Sequence, residues 1–172
     1  LMASFPAGAA APVRVGIAYD GSGPGDVGYN DLARSGALQA RAEYGVKLFE
    51  TASGSRQSRL GSLAKRSNLV VAVGFLYEDS VGAVATGNPK TNFALIDSGR
   101  AGGANLLVAT FAESEGSFLV GAAAAMKSDT LSFGFIGGVD IPVIFEFEEG
   151  YIAGVNHVKE TAEVDVAYVS KW

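Results

Sequence analysis

Val13-Arg-Val-Gly-Ile-Ala-Tyr19, followed at once by Asp20-Gly-Ser-Gly-Pro-Gly-Asp-Val-Gly-Tyr-Asn30, is the stretch on which the fold turns. Its first seven residues are a β-branched run that reads as a strand, and the next eleven make an acidic, glycine-rich loop leading into a helical pattern. Strand, loop and helix in that order begin a βα unit. In open α/β sheets ligands bind outside the carboxyl ends of the strands, so this loop is also the first place to look for a site.

Outward from it the alternation repeats. Further strands are predicted at residues 46–51, 69–73, 92–96, 106–110, 131–136 and 164–169, and helices at 31–44, 56–66, 78–86, 113–127 and 142–160. That order implies an α/β fold of parallel sheets covered by helices. Asn30 is expected to cap the first helix, with Gly45 closing it in a left-handed conformation. Asn88-Pro89 ends the third helix, because the residue before proline avoids the α region. Pro142 suits the first position of the last helix, where Ile144, Phe147, Tyr151, Val155 and Val158 recur three or four apart and predict a continuous buried stripe. Residues 1–12 read as a disordered leader. The Gly- and Ala-rich loop Ser98 to Asn105 separates an amino-terminal lobe, 13–107, from a piece at 108–172 with only two later strands, small for an independent core.

Composition narrows the function. Apolar residues are 48% of the 172, enough for a core, and the 23 glycines show no regular period, so they read as tight turns. A net charge of −5 and the lack of any basic run argue against a nucleic-acid partner. Without cysteine there is no disulfide framework, Cys-ligated zinc, iron–sulfur cluster or thiol nucleophile. The longest apolar stretch, Phe118 to Met126, falls far short of the ~20 residues that span a bilayer. Since the chain starts at Leu1, any signal sequence or lipid-bearing cysteine is expected outside it.

Groups able to do chemistry are few. His157 stands alone on the last predicted helix, no Gly-x-Ser-x-Gly elbow occurs, and Glu146, Glu148, Glu149 and Glu160 read as a solvated acidic face. No catalytic residue, metal or cofactor is predicted. Gly23, Gly25 and Gly28 do spell a G-x-G-x-x-G, with Glu50 22 residues beyond at the end of the second strand, so an NAD(P)-type dinucleotide-binding enzyme is the alternative reading. Against it, Pro24 stiffens the loop, and Asp20 and Asp26 would repel a pyrophosphate. The glycines can equally serve only as a turn. Asp20, Tyr29 and Asn30 suit a nitrogen heterocycle better: a carboxylate accepts from N–H groups, an amide offers donor and acceptor, and a phenol ring stacks. Asp97 adds an acceptor at the same sheet edge, or else caps its strand end.

These residues resemble the basic membrane protein family of substrate-binding lipoproteins, which includes bacterial purine nucleoside receptors serving ABC transporters. The resemblance runs from Val13 to Trp172. It is carried by Asp20, Asp26 and Gly28-Tyr29-Asn30, by Gly74-Phe75, by Pro89 and Phe93 to Asp97, by Phe111 with Glu115 to Gly121, by Gly137-Gly138 to Pro142, and by Phe147 to Gly154. Each motif is weak alone, and their order makes the set specific.

The resemblance implies a periplasmic-binding-protein type I-like fold with an incomplete second lobe, closing around a purine nucleoside without catalysis. It also implies an ABC transporter permease as partner and a lipid tether on the outer face of the cell membrane. Asp20 and Asn30 would then hold the base and Tyr29 stack on it, with Asp26, Phe75 and Asp97 at the same site. Gly138 would admit backbone from the second lobe, and Trp172 would be the opposing aromatic. Tyr29 stands where the family has Phe, Gly28 where it has Ser, and the later Asp and Lys that hold the ribose have no counterpart. The chain accordingly reads as a truncated binding protein, and the unpaired strands of its second piece invite association with a second copy.

Overall fold

A computed structural model describes residues 11–21, 23–99 and 101–170, which fall into two compact units, Leu1–Thr110 and Phe111–Trp172. Most of the expected leader, residues 1–10, lies outside the described residues.

The first unit runs β1 (Arg14–Ala18), α1 (Tyr29–Tyr44), β2 (Lys47–Thr51), α2 (Arg56–Ala64), β3 (Leu69–Val73), a short 3-10 turn (Phe75–Tyr77), α3 (Glu78–Gly87), β4 (Asn92–Ile96) and β5 (Leu106–Ala109). Its five strands are all parallel, in the order β2-β1-β3-β4-β5. Side chains of a strand alternate between faces, and the core divides accordingly. Ala18, Val70, Ala72, Phe93 and Leu95 meet Leu60 and Leu63 of α2 and Val81 and Ala85 of α3. Ile17, Tyr19 and Val73 form the other cluster, against Tyr29, Ala33 and Ala37 of α1. Each fully buried Leu, Val or Phe contributes about 1.5–3 kcal/mol, so both clusters bind helix to sheet firmly.

The second unit runs α4 (Glu113–Lys127), β6 (Ser132–Val139), α5 (Pro142–Val158) and β7 (Glu163–Ser170). β6 and β7 pair in parallel, from Ser132 opposite Glu163 to Val139 opposite Ser170. Lys159, just past the end of α5, joins that helix end to the turn between α4 and β6 by donating from Nζ to the Ser128 and Thr130 carbonyls at 2.6 and 2.7 Å.

The predicted strands and helices are all present. Gly45 has φ +66° and bonds back to the Arg41 carbonyl, Pro142 opens α5, and α3 stops at Gly87. Two expectations are corrected. Asn30 is not the cap of α1, which begins at Tyr29, so Asn30 lies inside the first turn. Nor is the buried face of α5 a stripe of large side chains: Val155 is fully buried, but Phe147 and Val158 are exposed, and the other buried positions are Gly150 and Gly154. The facing side of α4 is equally small, with Ser117, Gly121 and Ala125 buried. Helix axes therefore approach until backbones touch, and the bulky residues of α5 are displaced to its flanks. A Cβ at Gly154 would stand 2.0 Å from the Phe118 carbonyl oxygen, one at Gly150 2.2 Å from that of Ser114, and one at Gly121 2.1 Å from that of Tyr151.

Candidate functional site

β1, β3 and β4 are neighbours, so their carboxyl ends lie side by side. Asp20 follows β1, Gly74 and Phe75 follow β3, and Asp97 follows β4, which brings these residues to one edge of the sheet. Gly74 has φ +100°, and a Cβ there would come within 3.1 Å of Asp20 Oδ2. The glycine thus lets the Asp20 carboxylate lie against the end of β3. Asp97 takes up a left-handed conformation, φ +72°, that few side chains other than Asp and Asn adopt. Its N–H donates to the Ala109 carbonyl at 2.8 Å, tying the end of β4 to β5. Next to it the buried Ser98 hydroxyl donates to Glu78 Oε2 at 2.5 Å.

The loop from β1 to α1 brings in the remaining groups. Asn30 is buried, and its Oδ1 accepts the Asp20 N–H at 3.3 Å, so helix start and strand end are joined through that amide. Tyr29 is half-buried on the Ile17, Tyr19 and Val73 cluster. Asp26 turns back onto α1: Oδ1 accepts from the N–H groups of Gly28 at 2.9 Å and Asp31 at 3.2 Å, and Oδ2 from Asn30 at 2.9 Å. The Asn30 N–H, with those of Gly28 and Asp31, holds the Asp26 carboxyl below its ordinary range against a smaller opposing effect of desolvation. Asp31 reciprocates, accepting from Gly25 at 2.8 Å and Val27 at 2.9 Å.

This geometry bears directly on the dinucleotide alternative. The helix-terminal N–H groups that would receive a pyrophosphate are bonded to Asp26. Glu50, the acid that would hold a ribose, accepts instead from the Tyr19 hydroxyl at 2.6 Å and from Arg34 Nε at 2.9 Å. The Tyr19 hydrogen bond, with Arg34 adding to it, lowers the Glu50 pKa. Both halves of the fingerprint are committed to internal bonds.

Sequence reasoning passed over several supports of this edge. Arg59 Nη1 and the Tyr77 hydroxyl both donate to the Tyr19 carbonyl, at 2.7 and 2.6 Å, fixing the backbone just before Asp20. Tyr77 is fully buried, and burial raises its pKa, so it stays a neutral donor. Asp31 at the head of α1 was signalled only by its place in the first turn.

In the second unit Gly138 lies exposed near the end of β6 with open space around it, and its carbonyl accepts from Ser170 Oγ at 3.1 Å. Tyr168 crosses Gly137 and donates to Glu148, and desolvation, with that hydrogen bond adding to it, pushes the phenol up to about 12. Trp172 lies outside the described residues. Among the described residues no three of His, Cys, Asp and Glu gather as a metal site, and no helix is long and apolar enough to cross a membrane.

A parallel sheet in this order, with polar side chains collected at its carboxyl edge, has the architecture of periplasmic-binding-protein type I lobes, of which the second unit supplies two strands. The chain belongs to the Bmp family, ABC transporter substrate-binding protein PnrA-like, which matches residues 13–172. It is 33% identical over 168 residues to the ABC transporter nucleoside-binding protein BmpA of Lactococcus lactis subsp. cremoris, covering 93% of this chain and 48% of that protein. An uncharacterized lipoprotein of Pyrococcus furiosus is 32% identical over 160 residues, covering 86% of this chain and 39% of its own length. Among solved structures, an ABC transporter system solute-binding protein from Aeropyrum pernix K1 superposes with a TM-score of 0.79 at 30% identity, over 93% of this chain and 47% of that one. The chain thus spans about half the length of the curated relatives it matches.

Proposed function

We propose that this chain is part of a solute-capturing receptor for an ABC importer and that the solute is a purine nucleoside. The observation that carries the reading is the meeting of Asp20, Phe75 and Asp97 at three adjacent strand ends, with Tyr29 and Asn30 at the head of the neighbouring helix. Carboxylates and an amide orient a base through its N–H groups, each charged hydrogen bond contributing about 1.5–3 kcal/mol, and aromatic stacking adds ~1 kcal/mol. Nothing in this chemistry calls for catalysis. The kinship with lipoproteins and transporter components supports a place outside the cytoplasmic membrane, on a lipid tether, delivering to a permease.

Calorimetric titration with adenosine, guanosine, inosine and NAD tests it. Saturable binding of a purine nucleoside that Asp20→Ala abolishes is the expected result. Binding of NAD alone, tolerant of changes at Tyr29, overturns the reading in favour of a dinucleotide site.

A further inference from the structure

Asp20, the carboxylate at the end of β1, has its backbone held on both sides. The Tyr19–Asp20 peptide gives its carbonyl to two donors, Arg59 Nη1 at 2.7 Å and the Tyr77 hydroxyl at 2.6 Å, and its N–H to Asn30 Oδ1 at 3.3 Å. The Asp20 carbonyl accepts in turn from the Gly23 N–H at 3.0 Å. Peptide units are planar, so fixing the two that flank a Cα fixes the direction in which its side chain leaves. Arg59 reaches beyond this peptide. It is half-buried in α2, its Nε donates to the Gly54 carbonyl at 2.9 Å in the loop after β2, and its Nη1 donates to the Tyr77 hydroxyl at 3.2 Å in the turn after β3. One guanidinium therefore joins the loops that follow three adjacent strands, β2, β1 and β3. Its planar fork of donors serves three acceptors at once, which an ammonium on a flexible stem does not. Among the described residues Arg59 makes no ion pair with a carboxylate, so its charged hydrogen bonds all go to the groups that frame the carboxyl edge.

We infer that Arg59 is a positioning residue of the solute site: through the Tyr19 carbonyl it sets the Asp20 carboxylate in its binding orientation before any solute arrives. The inference rests on the receptor reading and deepens it. A group oriented in advance loses little freedom when the solute binds, so more of its hydrogen-bond energy appears as affinity. Affinity for the solute then depends on a side chain of α2 that acts only through the backbone before Asp20.

The test measures inosine binding by calorimetry and amide hydrogen exchange at Asp20 and Gly23, both on the full chain. Arg59→Met keeps an unbranched stem and deletes the donors, while Arg59→Lys retains the charge without the fork. Val81→Ala is the control for stability alone, since it removes buried methyl groups from the core cluster that includes Tyr77 and leaves the Tyr19 carbonyl with both donors. Arg59→Met should weaken inosine binding by about tenfold or more and speed exchange at both amides by a similar factor. Arg59→Lys should stay within about threefold of Arg59→Met, because charge without the fork does not hold the three loops. Val81→Ala should lower the Tm and leave the affinity of the folded chain unchanged. Parent-like affinity in Arg59→Met, full recovery in Arg59→Lys, or an equal loss in Val81→Ala overturns the inference. Should inosine, adenosine and guanosine all fail to bind the parent, the receptor reading falls, and exchange alone decides this one. Faster exchange at Asp20 and Gly23 in Arg59→Met, with the amides of β4 unchanged, upholds the positioning role, and protection equal to the parent's refutes it.

Discussion

Replacing Gly154 by alanine should force α4 and α5 apart. The added methyl would stand 2.0 Å from the carbonyl oxygen of Phe118 and 2.8 Å from the backbone nitrogen of Ala122. Both are main-chain atoms, so no rotamer change relieves the overlap, and reaching a normal contact means moving the helices roughly 1.5 Å. Separation on that scale also loosens the neighbouring contacts of Gly150 on Ser114 and of Gly121 on Tyr151. Overpacking of this kind costs about 1–3 kcal/mol and occasionally more, while alanine in place of a mid-helix glycine returns up to ~1 kcal/mol of propensity. The net expected is a loss of about 1 kcal/mol. Gly36, in the middle of α1 with open space around it, provides the opposite sign: Gly36→Ala meets nothing within 4 Å and should gain ~0.5–1 kcal/mol. Urea unfolding followed by far-ultraviolet ellipticity, fitted with one transition for each unit, measures both. If Gly154→Ala proves as stabilising as Gly36→Ala, the argument from backbone contact between α4 and α5 is wrong.

Two further outcomes follow from the first unit. Tyr19→Phe deletes the donor to Glu50, whose folded-state pKa is depressed; that stabilisation is complete above the unfolded pKa of roughly 4.3 and disappears as pH falls through the lower folded value. The variant should therefore lose about 1 kcal/mol at pH 7 and converge with the parent in acid, and parallel stability curves from pH 7 down to 2 would dismiss the linkage. At Asp97, with φ +72°, substitution separates backbone strain from ligand contact: Asp97→Gly should keep the parent Tm, Asp97→Ala should cost about 1 kcal/mol, and both should lose nucleoside binding in the calorimeter. An Asp97→Gly chain that binds as the parent does removes Asp97 from the proposed site.

Much of the architecture was legible because it rests on local rules. Alternating β-branched runs, Gly45 after α1 and Pro142 at the head of α5 act within a few residues of themselves, and they located strands and helices to within two residues except at the end of β6, which runs three residues further, to Val139. Once the strands were ordered as a parallel sheet, the placing of Asp20 and Asp97 at one edge followed. What stayed hidden depends on partners distant in sequence or on backbone angles. The capping of α1 by Asp26 requires the turn made through Gly25 and Val27, so the nearest polar residue, Asn30, was the natural but mistaken choice. The small face of α5 became visible only with its counterpart on α4, since periodicity registers large apolar side chains and passes over glycine. The Arg59 and Tyr77 bonds to the Tyr19 carbonyl span 40 and 58 residues, and no motif announces them.

The strand order β2-β1-β3-β4-β5 also describes a growth sequence. After β1 and β2 pair, β3 adds beside β1, β4 beside β3 and β5 beside β4, so no strand has to be inserted between two already joined. All five are complete by Thr110. At about 5–20 residues per second the segment beyond Thr110 takes several seconds to be synthesised, as long as or longer than a small α/β domain needs to fold. The sheet that carries Asp20 and Asp97 can thus be assembled on the ribosome by edge addition alone, before the helices of the second unit exist to compete for its surface.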